Sequence, residues 1–245
     1  MKKRILGGLL EASEISMGCM RIGRLSDAEA AKLIQTALDN GIDFFDHADI
    51  YSNGLSEEIF GKCIKKCTAK REDILIQSKC GIRKDLNTFD FSKEHIIKSA
   101  ENSLKRLQTD YLDVLLLHRP DTLFEPEEVA EAFGILEKSG KVRYFGVSNQ
   151  SPRLMDLLQA SVKQKLIVNQ LQFSIAHALM INHQFQFNML TEGAVNRSDE
   201  VLEYCRLKGI TIQAWSPFQH GFFKGTFIDN DDYKELNRVL DRIAI

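Results

Sequence analysis

Hydrophobic positions along the chain follow two alternating patterns. Runs at 15–18, 42–45, 74–77, 112–117, 142–147, 166–171 and 210–215 are short and mostly apolar on both parities, as expected of strands covered on both faces. Between them lie stretches with helical spacing. Leu33, Ile34, Ala37 and Leu38 follow Ser26-Asp-Ala-Glu29 and stop at Asn40-Gly41, a capping box at one end and a helix-terminating glycine at the other. Ile96, Ile97, Ala100, Leu104 and Leu107 form a second stripe, and Val129, Phe133 and Leu136 form a third that ends at Gly140. Ser151-Pro152 opens another helix with an N-cap serine and a proline at the first helical position. Val201, Leu202 and Cys205 close at Gly209.

Seven strands alternating with helices predict an α/β protein with a parallel sheet. A spacing of roughly 25 to 45 residues per unit suits either a (β/α)8 TIM barrel or a doubly wound sheet. A doubly wound nucleotide fold should carry G-x-G-x-x-G after its first strand, and Gly18-Cys-Met-Arg-Ile-Gly23 lacks that spacing. The expectation is therefore a barrel forming one domain over 1–245, with the eighth β/α unit missing from this chain. The last residues, 240–245, read as part of the seventh barrel helix.

Composition narrows the function. With 44% hydrophobic and 27% charged residues the chain is neither disordered nor fibrous. Thirty-two Lys plus Arg against 34 Asp plus Glu leaves a net charge of −2, so no general pull toward nucleic acid or an acidic membrane is expected. No apolar run approaches the ~18 residues of a membrane span, and Met-Lys-Lys-Arg at the start leads into no signal-peptide core. Five cysteines are an odd count and too sparse for a disulfide framework, which fits a cytoplasmic protein. Open sheet edges would favour association, so a monomer or weak oligomer is expected.

The polar residues carry more. Asp46, Lys79, His118, Ser148-Asn149, Asn169-Gln170 and Trp215-Ser216 each stand at or near the carboxyl end of one of six consecutive strands. Singly, each has an ordinary structural reading: a capping Asp, a rim Lys, a satisfied His, a core Trp. Together they converge on one face of a barrel, the face where active sites of this fold sit. Asp46 and Lys79 come from adjacent strands with opposite charge, and Tyr51 follows Asp46 by five residues. A phenol ordinarily titrates near ~10. A neighbouring ammonium would lower it, a carboxylate would hold that ammonium, and His118 could orient a carbonyl oxygen. The set describes a device for protonating an oxygen as negative charge builds on it, which suits carbonyl reduction by hydride.

These blocks resemble the aldo-keto reductases. The resemblance rests on 46–58 (Asp-His-Ala-Asp-Ile-Tyr-Ser-Asn-Gly-Leu-Ser-Glu-Glu) with Gly61, on Ser78-Lys79, on Leu117-His118-Arg-Pro-Asp121 and on 140–149 (Gly-Lys-Val-Arg-Tyr-Phe-Gly-Val-Ser-Asn). It runs over essentially the whole chain, and Ser78–Gly81 with His118–Asp121 most resembles the bacterial YdhF-like oxidoreductase branch. The resemblance implies an NADPH-dependent reductase of small carbonyl substrates, with NADH not excluded. It implies a catalytic tetrad at Asp46, Tyr51, Lys79 and His118, Tyr51 being the general acid. It places the nicotinamide carboxamide on Ser148, Asn149 and Gln170, the ring on Trp215, the pyrophosphate along Ser216, Pro217 and Phe218, and Gly18 and Met20 beside the cofactor. Asp46 would serve both tetrad and cofactor site.

His47 stands where many members have Thr, and Ser52 where many have Gly. No metal is expected: His47 and Asp49 lack further ligands at useful spacing, and Cys63 with Cys67 reads as core packing. Aromatic residues of the 172–197 segment, with Phe89, Phe91 and Phe124, suggest an apolar entrance suited to hydrophobic aldehydes or ketones. Two other readings stay open: a non-catalytic module on the same scaffold, and Lys79 as an imine-forming amine.

Overall fold

The protein is described as a computed structural model covering residues 1–244. Its strands are β1 (Lys3–Leu6), β2 (Leu10–Ser13), β3 (Met17–Gly18), β4 (Phe44–Asp46), β5 (Leu75–Cys80), β6 (Ile82–Arg83), β7 (Thr88–Phe89), β8 (Leu112–Leu117), β9 (Val142–Ser148), β10 (Leu166–Gln172) and β11 (Thr211–Trp215). The helices are α1 (Asp27–Asp39), α2 (Leu55–Cys63), α3 (Lys93–Leu107), α4 (Pro126–Lys138), α5 (Pro152–Ser161), α6 (Leu179–Asn182), α7 (Val201–Lys208) and α8 (Lys234–Ile243).

Each expected central strand is present, in one parallel seven-stranded sheet of order β11-β10-β9-β8-β5-β4-β3. The sheet is curled. Gln77 on β5 and Gln213 on β11 stand four strands apart in that order, yet their side chains meet at 3.0 Å across the concave face. Among the described residues β3 and β11 are the edge strands.

Helix boundaries follow local chemistry. Ser26 and Glu29 close the capping box of α1, Ser92 caps α3, and Ser151 with Pro152 opens α5, so backbone N–H groups lacking an intrahelical partner find one. The helices pack their apolar stripes on the convex face of the sheet, where Ile34, Phe60, Ile96, Leu104, Phe133 and Met155 are buried. Gly61 lets α2 lie directly on the end of α3: a Cβ there would stand 2.6 Å from the carbonyl oxygens of Arg106 and Leu107.

The concave side has its own smaller core of Leu6, Ala12, Phe44, Val114, Leu116, Ile167 and Val168. Leu6 and Ala12 belong to the β1–β2 hairpin, which the strand pattern did not anticipate because its residues are largely exposed. Gly7 turns at φ +56°, donates its N–H to Thr211 Oγ1 at 2.9 Å and accepts from Lys165 Nζ at 2.7 Å. The hairpin thus plugs the amino-terminal end of the curled sheet. The opposite end, where the strands' carboxyl termini gather, is left for chemistry. Among the described residues no helix is long and apolar enough to cross a membrane.

Candidate active site

The residues at the carboxyl ends of β4 and β5 form a tight charged cluster. Asp46 ends β4, and Lys79, one residue from the end of β5, is fully buried. The Lys79 ammonium donates to both Asp46 oxygens at 2.7 and 2.8 Å, to the His47 carbonyl at 2.7 Å and reaches the Tyr51 hydroxyl at 3.1 Å. Burial alone would lower the lysine's pKa, but Asp46, helped by Tyr51, outweighs it and holds the amine above its ordinary value. An amine so protonated and so fully occupied is a poor nucleophile, which removes the support for an imine-forming role.

Tyr51 lies in a turn where Ser52 and Asn53 adopt positive φ, 49° and 55°, conformations that cost energy in non-glycine residues and hold the phenol side of the loop over Lys79. Sequence reasoning expected the ammonium to bring the phenol's pKa down. The structure corrects the net direction. Burial raises it and Asp46 adds to that, while Lys79 pulls it down without prevailing. The hydroxyl is therefore held as a neutral acid, with the ammonium ready to stabilise the phenolate once the proton leaves.

His118 directly follows β8, and its ring meets Tyr51 edge-on with centroids 6.0 Å apart. Burial, with Lys79, Arg119 and Lys84 nearby, pushes its pKa well below the ordinary value, so the imidazole is neutral. Its Nδ1 is buried without a partner. The four expected tetrad residues are thus brought together.

Beneath Asp46 lies a layer that inspection of strand ends missed. Gln77 donates to Asp46 Oδ1 at 2.6 Å and Gln170 donates to the same oxygen at 3.2 Å, and both reach Gln213 Oε1, at 3.0 and 3.1 Å. The signal was parity: Gln77 and Gln213 sit two residues before Lys79 and Trp215, hence on the same strand face. Cys19 was also passed over. Its N–H donates to the Asp46 carbonyl at 2.8 Å, and burial followed by the Asp46 charge raises its thiol pKa well above the ordinary value, leaving it unreactive.

The residues assigned to the nicotinamide form a second network beside the tetrad. Ser148 Oγ donates to the Gln170 carbonyl at 3.0 Å, and Asn149 Nδ2 donates to Ser148 Oγ at 2.7 Å. Trp215 Nε1 donates to Asn149 Oδ1 at 3.1 Å. Asn149 takes φ +59°, a strained turn of the kind that gathers at binding sites. Gln170 directs its amide nitrogen inward to Asp46 and Gln213. Its strand neighbour Asn169 points the other way, donating to the Gln150 carbonyl at 2.9 Å beneath α5.

Gly18 pairs with Asp46 in register and has open space where a Cβ would stand, and exposed Met20 follows it. Ser216 adopts φ +53°, and Pro217 and Phe218 are exposed beyond Trp215. None of these three donates or accepts a side-chain hydrogen bond to the tetrad. Phe222 and Phe223 complete an aromatic group with Trp215, at ring separations of 6.0 and 6.5 Å. A hollow of about 250 Å³ opens beside Asn149, lined by Leu171, His177, Met180 and Arg197. No group of three or more His, Cys, Asp or Glu is arranged to hold a metal among the described residues. His47 instead packs its ring against Phe60, 4.5 Å between centroids, with both nitrogens unpartnered.

Comparison with known proteins gives the family. Residues 14–243 match the aldo/keto reductase family. The chain is 43% identical over 243 residues to the oxidoreductase YdhF of Escherichia coli, covering 96% of this chain and 74% of that protein. It is 40% identical over 233 residues to the oxidoreductase YcsN of Bacillus subtilis, covering 91% of this chain and 71% of the other. Its fold superposes on a thermostable aldo-keto reductase crystallised with the inhibitor epalrestat at a TM-score of 0.75, with 28% identity, over 100% of this chain and 80% of that one. The chain belongs to the aldo/keto reductase family and is an oxidoreductase.

Proposed function

We propose that the protein reduces aldehydes or ketones to alcohols with NADPH, Tyr51 acting as the general acid. The observation that carries this reading is the buried chain Asp46–Lys79–Tyr51. A carboxylate held at 2.7 Å fixes an ammonium, and the ammonium stands 3.1 Å from a neutral phenol. When the phenol gives its proton to the substrate oxygen, the charge left on it faces a buried cation in a water-poor site, where such stabilisation is strongest. Neutral His118 is suited to donate a hydrogen bond to the same oxygen and so to aim it at Tyr51.

A nicotinamide dinucleotide fits the residues next to this device. Ser148 and Asn149 present hydroxyl and amide groups for a carboxamide, Gln170 lies behind them, and the half-exposed indole of Trp215 offers a flat apolar face. Gly18, Met20 and the segment Ser216, Pro217, Phe218 flank that face and would border the cofactor. Bound there, the cofactor supplies hydride to the carbonyl carbon. The expected partner is a small carbonyl compound, with no nucleic acid or membrane partner, and the protein a cytoplasmic monomer or weak oligomer.

Titration of NADPH against the fluorescence of Trp215, the only tryptophan, tests the cofactor assignment. Saturable quenching, weakened in Asn149→Ala, is the expected result. A folded protein whose fluorescence ignores both NADPH and NADH would contradict it.

A further inference from the structure

The mouth of the site holds a cation that proton transfer does not use. Arg119 follows His118, and its guanidinium lies 5.8 Å from the Trp215 ring centre and 5.7 Å from that of Phe222. The other half-buried arginines hold carboxylates: Arg71 with Asp113, Arg83 with Asp85 and Asp90, Arg106 with Glu57. Among the described residues Arg119 has neither an ion pair nor a side-chain hydrogen bond, although it is half-buried. The nearest acid along the chain, Asp121, is turned away and accepts from the N–H groups of Phe91 and Leu123, both at 3.1 Å. Lys84 strengthens the same field, its ammonium held only by neutral acceptors, the Ile50 carbonyl at 2.8 Å and Asn53 Oδ1 at 3.3 Å.

A guanidinium has five N–H donors in a planar fork that matches a carboxylate or phosphate. Taking such a group partly out of water without a partner costs free energy that an arriving anion returns. We propose that Arg119, supported by Lys84, binds the anionic group of the substrate, so that the preferred substrates are carbonyl compounds carrying a carboxylate or phosphate. This rests on the reductase reading and deepens it. The phosphates of a dinucleotide would offer the same chemistry to Arg119, and the test separates the two sources.

The test compares 4-carboxybenzaldehyde with benzaldehyde in the wild type, Arg119→Leu and Arg119→Lys, alongside NADPH affinity from Trp215 quenching. The expected result is that the anionic-to-neutral ratio of kcat/KM falls about tenfold or more in Arg119→Leu, the weight of a charge-assisted hydrogen bond. The fall resides chiefly in KM, and Arg119→Lys restores part of it. An unchanged ratio overturns the proposal. So does a loss of NADPH affinity with both aldehydes declining equally, which would give Arg119 to the dinucleotide phosphates. If Arg119→Leu does not fold, the wild-type ratio is measured from about 0.01 M to 1 M salt, over which screening shortens from about 30 Å to 3 Å. A falling ratio supports the proposal and a constant one overturns it. If the wild type reduces neither aldehyde, the reductase reading fails on its own. Benzoate and benzamide titrated against Trp215 fluorescence then decide this inference: a saturable response to benzoate alone, lost in Arg119→Leu, supports it, and equal responses overturn it.

Discussion

The Asp46–Lys79 pair should be strongly and unequally coupled to stability. In Asp46→Asn the Lys79 ammonium stays fully buried and keeps only neutral acceptors, the amide oxygen of the new side chain, the His47 carbonyl at 2.7 Å and the Tyr51 hydroxyl at 3.1 Å. In Lys79→Met the Asp46 carboxylate retains two amide donors, Gln77 at 2.6 Å and Gln170 at 3.2 Å, and a little solvent. Breaking a buried pair from one side costs about 3–5 kcal/mol. Asp46→Asn is therefore expected near about 5 and Lys79→Met near about 3 kcal/mol. Against a total of about 5–15 kcal/mol, either loss is large. With a urea slope of about 2–3 kcal/mol per molar, the midpoint should fall by about 1–2.5 M. The double variant leaves no charge stranded and is expected to be no less stable than Lys79→Met alone. Urea unfolding followed by circular dichroism measures all four proteins. Losses in the double variant equal to the sum of the singles would refute the argument, because they would mean the two charges do not act on each other.

Three smaller predictions accompany it. Burial, aided by Lys79, lowers the His47 pKa to about 3, and the unfolded chain returns it to the usual value of 6.5. A depressed folded pKa contributes stability that is present above 6.5 and is lost as pH falls toward 3. From pH 7 to pH 5 the wild type should therefore lose about 2 kcal/mol more than His47→Gln in urea titrations; equal losses would contradict it. Asp49, raised to about 7 by burial and by Glu57, moves stability in the opposite sense, so the difference between the proteins, and not either slope, is the quantity to read. Gly61→Ala gains about 1 kcal/mol of helix propensity. It also sets a Cβ 2.6 Å from backbone oxygens of α3, an overpacking that costs about 1–3 kcal/mol. A net lowering of the urea midpoint is expected, and a rise would show that α2 moves away freely. Tyr51→Phe should keep the wild-type unfolding free energy within about 1 kcal/mol in urea titrations, since Lys79 loses one hydrogen bond of the four it makes.

How much of this was visible in the chain follows from what each signal depends on. Caps are local, so α1 and α5 could be placed from Ser26 and Ser151 before any tertiary contact was known, and α3 from its apolar stripe Ile96–Leu107. The central strands declared themselves by being apolar on both faces. The β1–β2 hairpin did not, because its strands bury only Leu6, Ala12 and Ser13 and it is held by Gly7 against β10 and β11. Residues at strand ends were legible as a set, whereas the glutamine layer below Asp46 required the strand parity to be followed one step inward. The net direction of the Tyr51 shift could not be read at all. It depends on how burial weighs against the Lys79 charge, and burial is a property of the folded loop. Arg119 was written in the sequence beside His118, but its lack of a carboxylate became apparent only once Asp121 was seen turned to Phe91 and Leu123.

In the proposed reaction Tyr51 protonates a carbonyl oxygen while Lys79 stands ready to stabilise the phenolate. The most direct measurement is single-turnover oxidation of NADPH by an aldehyde at pH 7, comparing the wild type with Tyr51→Phe, each first shown to be folded and to quench with cofactor. In Tyr51→Phe the rate of the chemical step is expected to fall by roughly 10²–10⁴-fold with cofactor affinity retained. A Tyr51→Phe protein that turns over at the wild-type rate would show that the proton comes from another group, and the mechanism would have to be rebuilt around His118 or water.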